Sequence, residues 1–110
     1  MKASFAQGAS AIARLADIPH NLPFLLACGV FNDALIYIRD AGHFSSKQRT
    51  LGALVKDGEK SLKWLDYVLI EEIVKKRNDL AHRAVIIPRG DCQRYIIALE
   101  AQLKAWKVLP

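Results

Sequence analysis

A chain of 110 residues has the length of one domain, residues 1–110, with enough material for a single modest core. Its 52% hydrophobic and 25% charged residues set it apart from disordered chains, and Cys28 and Cys92 belong to no CxxC pair, so neither a disulfide framework nor a zinc site is indicated. The net charge of +5 favours an anionic partner without a basic tail, since Lys and Arg number five against three acids through Val55 and eleven against eight after it.

The first segment, roughly residues 3–17, carries Phe5, Ala9, Ile12, Ala13 and Ala16 at spacings of three and four, the narrow apolar stripe of a helix that Pro19 stops. Asn21 is a natural N-cap for a second helix over about residues 22–41, with Pro23 tolerated in its first turn. That helix is apolar on nearly every side, through Leu25, Leu26, Val30, Phe31, Leu35, Tyr37 and Ile38. Such a helix is central, or is covered by another subunit. The run over residues 22–38, interrupted by Asn32 and Asp33, is short for a membrane span and reads as a core helix. It is not expected to be a signal peptide. Asp33 within this run is placed at a solvent-facing edge, or else supports a site.

Ser45 and Gln48 form a capping-box pattern for a short third helix that buries Leu51, Leu54 and Val55 and ends at Asp57-Gly58. A long fourth helix is expected from Lys60 or Ser61 to Arg83 or Ala84, with Leu62, Leu65, Leu69, Ile73 and Leu80 inward and Val68 and Ala81 widening the stripe. Glu71 and Lys75 stand in the favourable order for a surface pair. After His82 an apolar run closes on Pro88 and Gly90. Asp91 then caps a last helix with Tyr95, Ile96, Leu99, Leu103 and Trp106 inward. The fold class is therefore all-α, a small up-and-down bundle of four to five helices.

Late in the long helix, Arg77-Asn78-Asp79-Leu80-Ala81-His82 combines a permanent cation, an amide and an imidazole. Asn78 and His82, four apart, lie about 40° from each other around a helix; Arg77 and His82, five apart, lie roughly 140° apart. The second pair meets only if the arginine curls back or a second copy approaches. A histidine moves protons near neutral pH and an arginine forks onto phosphate oxygens. Together they are the minimal equipment for cleaving RNA through its own 2′-hydroxyl without a metal. Lys75, Lys76, Arg83 and Arg89, with Arg94, are candidates for holding the RNA backbone. Aromatic residues are sparse around them, so base stacking is not supported.

This string, on an amphipathic helix of a small all-helical domain, resembles the signature of the HEPN superfamily (higher eukaryotes and prokaryotes nucleotide-binding domains). That signature is an arginine, a polar residue directly after it, and a histidine after four to six intervening residues. The resemblance implies a HEPN-like bundle that dimerises with two motif helices side by side, making one composite cleft. It implies a metal-independent endoribonuclease, a toxin or defence component, with Arg77 and His82 catalytic and Asn78 supportive. Its partners would be a second copy, RNA and an antitoxin protein of unknown type. The alternative is a catalytically inactive HEPN-like module that binds a protein partner or nucleic acid. In the subgroup controlled by a minimal nucleotidyltransferase, a tyrosine stands two positions after the histidine; here that residue is Ala84, so that control is not expected.

Other candidates are weaker. Adjacent Glu71 and Glu72 diverge on a helix, and His20 and His43 lack a second ligand at metal spacing. Cys92 reads as a packed thiol, and Trp64, Tyr67 and Trp106 as core or dimer contacts. No cofactor, metal or membrane contact is expected, and the reducing cytoplasm is the simplest location.

Overall fold

The computed structural model describes residues 16–109. The stripe over residues 5–13 lies outside the described residues. Four helices follow in order: α1 (Ile18–Asp40), α2 (Leu51–Asp57), α3 (Tyr67–Arg83) and α4 (Arg89–Ala105). Among the described residues there is no strand, and the chain is a small all-helical bundle. Helix α1 packs chiefly on α4 and α2, while α3 packs on α2 and α4.

Helix α1 starts at Ile18, earlier than Asn21 as a cap would place it. Pro19 fits the first turn, where its missing N–H has no helical acceptor to serve. Asn21 is instead buried within the helix. Its Nδ2 donates to the carbonyls of Asp17 (2.7 Å) and Ile87 (2.9 Å), and its Oδ1 accepts from the Ile87 N–H (2.8 Å). The early start makes α1 a continuous helix of 23 residues, so by length and apolarity it is long enough to cross a membrane, contrary to the shorter run read from the sequence. A core helix passes the same test, and α1 buries Phe24, Cys28, Phe31 and Leu35 along one face. Its opposite face leaves Leu22, Leu26 (71% exposed), Val30 and Tyr37 (70%) in the open.

Helix α2 begins at Leu51 rather than Ser45. The expected capping box does not form, because the Ser46 hydroxyl accepts from the Gln48 N–H (3.1 Å) and donates to Asp57 (2.6 Å). These bonds hold the preceding residues in a loop, and Arg39 donates to the Gln48 carbonyl from α1. Leu51, Leu54 and Val55 enter the core as expected.

Helix α3 also starts late, at Tyr67, where the Asp66 carboxylate accepts from the Leu69 N–H (3.1 Å). The stretch before it is pinned to α4. The Gln102 side chain, buried, accepts from the Leu65 N–H (2.8 Å) and donates to the Lys63 carbonyl (3.2 Å), which also takes the Trp106 indole N–H (2.8 Å). This shortening leaves Leu65 (64% exposed) outside the helix; Val68 (75%), far around α3 from Ile73, is exposed too, as is Ala81 in the last turn, while Ile70 and Ile73 take the buried stripe. Helix α4 begins at Arg89 with Pro88 in the cap position, so Asp91 lies in the first turn instead of capping it. Tyr95, Leu99 and Leu103 are buried as the pattern predicts. Trp64 packs edge-on against Trp106 (4.8 Å between ring centres) and against Tyr67 (5.2 Å), closing the core beside Phe31.

Candidate functional site

Arg77 falls seven residues after Ile70 and four after Ile73, which puts it on the core-facing arc of α3. It is half-buried and emerges into a cleft of about 350 Å³ between α1 and the start of α2, shared with Asn32, Asp33, Arg49 and Thr50. Asn78 and His82 occupy the exposed face of the same helix, beside Lys75. Arg77 Nη1 donates to Asn78 Oδ1 at 3.2 Å, so the amide leans toward the arginine rather than the imidazole. Among the described residues the His82 side chain has no hydrogen bond or ion pair within the chain. One copy of α3 therefore does not bring Arg77 and His82 to one point.

The expected RNA-binding cations are likewise dispersed. Lys75 shares the His82 face, whereas Lys76 and Arg83 lie roughly 100° around the helix. Arg83 pairs with Asp79 at 3.7 Å, and Arg89 opens α4 with its backbone N–H on Asp17 (3.2 Å). Arg94 is engaged by Glu72 (3.1 Å) and Asp91 (3.6 Å) and lies 4.8 Å from the centre of the Tyr95 ring. The pair expected between Glu71 and Lys75 does not form. Glu72 is the acid that is used, because it faces α4 and accepts from both Arg94 and the Tyr95 hydroxyl.

Asp33 stands exposed on α1, at the edge of the Arg77 cleft and without an ion pair among the described residues. Cys28 lies at the same cleft. Burial pushes its thiol up to about 12, against a smaller downward pull from Arg77. Burial also raises the Cys92 thiol, so neither cysteine is poised as a thiolate nucleophile. Among the described residues no three His, Cys, Asp or Glu side chains gather into a metal-binding group.

The sequence reading missed Arg49 as a neighbour of Arg77. A helix beginning at Ser45 would have made it an ordinary surface position; the loop that replaces that helix brings it to the cleft. No spacing pattern marks it, because the juxtaposition joins the loop before α2 to α1 and α3. Comparison of the chain with family models, curated proteins and solved structures returns no match.

Proposed function

We propose that this chain is a metal-independent endoribonuclease of the HEPN type, acting as a homodimer in the cytoplasm and serving as a toxin or defence component held in check by an antitoxin protein. The observation that carries this reading is Arg77. A charged residue at the centre of a core-facing arc is costly unless it serves something, and Arg77 has no carboxylate partner among the described residues. Its guanidinium opens instead onto a cleft of ligand size, with a histidine exposed one turn and a half along the same helix.

In this mechanism His82 takes the proton of the ribose 2′-hydroxyl, whose oxygen forms a bond to phosphorus as the bond to the 5′-oxygen of the next nucleotide breaks. A second imidazole, that of the partner copy, returns a proton to the leaving 5′-oxygen. The products are a 2′,3′-cyclic phosphate and a free 5′-hydroxyl, and Arg77 stabilises the charge built up on the phosphoryl oxygens. Because Arg77 and His82 diverge on one helix, the site needs both copies. The exposed apolar face of α1 supplies surface for such an association.

Cleavage of single-stranded RNA in excess chelator, with His82→Ala and Arg77→Leu compared at matched folding, tests the reading. Loss of about 100-fold or more in each variant is expected; full activity in His82→Ala removes the imidazole from the chemistry. A catalytically inactive binding module is the second reading, favoured by the absence of any side chain that orients His82 among the described residues. It predicts RNA binding with no cleavage by the wild type.

A further inference from the structure

Arg77 is not the only cation in its cleft. Arg49 lines the same concavity and, among the described residues, makes no ion pair with any carboxylate. Two guanidinium groups facing one small space repel each other, and a bound anion removes that repulsion while using their forked donors. Arg39 steadies the arrangement from behind by donating to the carbonyl of Gln48, directly before Arg49. Thr50, whose hydroxyl caps nothing in α2, adds a further donor at the rim.

The same cleft also holds one acid. Asp33 is not within ion-pair distance of either arginine and keeps its acceptor capacity, which suits a hydroxyl donor and not a second phosphate. At about 350 Å³ the space lies at the small end of ligand sites, room for one nucleotide. No aromatic side chain lines it, so a base is not held there by stacking.

We infer that the cleft is a one-nucleotide subsite for single-stranded RNA, in which Arg49 and Arg77 clamp a backbone phosphate and Asp33 accepts from the 2′-hydroxyl of the ribose on the 5′-oxygen side of that phosphate, a different hydroxyl from the one that attacks phosphorus. This rests on RNA being the ligand, as proposed above, but not on turnover. The 2′-hydroxyl is the hydrogen-bond donor of the RNA backbone, and it is the group that distinguishes RNA from DNA.

Gly29 provides a test that leaves the arginines intact. It sits on the cleft wall within α1, and a Cβ built there meets nothing within 4 Å, so a larger side chain fits the fold and enters the cleft. Binding of a short single-stranded RNA and of its DNA counterpart is measured by fluorescence anisotropy in the His82→Ala background, over a range of salt. Arg49→Ala is expected to weaken RNA binding about tenfold and to reduce the salt slope by about 0.7. Gly29→Leu weakens binding without lowering the melting temperature, and Asp33→Asn narrows the RNA-over-DNA preference. RNA affinity unchanged in both Arg49→Ala and Gly29→Leu overturns the subsite, as does equal affinity of the parent for RNA and DNA. If the wild type cuts no RNA but these binding changes appear, the subsite stands and the nuclease reading falls. If the wild type cuts RNA and the variants bind like the parent, the reverse holds.

Discussion

The buried carboxamide of Asn21 grips the backbone of Ile87 from both sides, accepting its N–H at 2.8 Å and donating to its carbonyl at 2.9 Å across 66 positions of sequence. This clasp fixes the connection after α3 against the first turn of α1. Asn21→Ala strips both partners at a buried site and is expected to cost about 3 kcal/mol, read as a lower urea midpoint at unchanged slope.

Ala84 closes α3 in the left-handed region, at φ +53°, with the Val85 N–H turned back to the Asp79 carbonyl at 3.2 Å. An L-residue there is strained, whereas glycine is not. Ala84→Gly should therefore stabilise the fold by about 1 kcal/mol, raising the thermal midpoint; an unchanged or lower midpoint argues against the left-handed cap.

Glu72 and Tyr95 link stability to pH at both ends. The hydrogen bond from Tyr95, with Arg94 beside it, holds the Glu72 carboxyl below its ordinary 4.5, so this contribution is present above 4.5 and is lost as pH falls through the lowered value. Burial, then the bond to Glu72, holds the Tyr95 phenol above its ordinary 10.0, so its contribution is present below 10.0 and is lost as pH rises toward the raised value. Tyr95→Phe should lower the urea midpoint most between these limits. A deficit that stays constant into acid and alkali would remove the link.

Both thiols should be silent in the native state. Cys28 and Cys92 are buried, and burial raises both, Cys28 to about 12. A thiol-reactive chromogen at neutral pH should modify neither until denaturant is added, when both react. Prompt labelling of Cys28 in the native protein would show the cleft wall to be open.

Helical periodicity carried most of the fold. Leu51, Leu54, Ile73, Tyr95, Leu99 and Leu103 are inward where their spacing puts them, because a single buried face at 3.6 residues per turn is a local property of the chain. Helix starts were less legible. Asn21, Ser45 and Asp91 all have cap chemistry, yet Asn21 serves a distant backbone, Ser46 binds Asp57, and Asp91 lies one turn too late. For Asn21 the partner lies 66 positions away, for Ser46 it lies 11 away, and Asp91 pairs with Arg94 on its own helix. A distant partner also misplaced Leu65, since Gln102 and Trp106 hold the strip before α3 as a loop, whereas Val68 is exposed because it lies roughly 140° around α3 from Ile73.

For the candidate site, the sequence by itself determined that Arg77 and His82 diverge by roughly 140°, because helix geometry leaves no other result at a spacing of five. It also determined that Asn78 stays near His82 around the axis. Only the tertiary structure decided that Asn78 bonds to Arg77 and that Arg49 and Asp33 share its cleft. Those juxtapositions depend on how α1, the loop before α2, and α3 pack together, and packing between distant segments leaves no period in the chain that forms it.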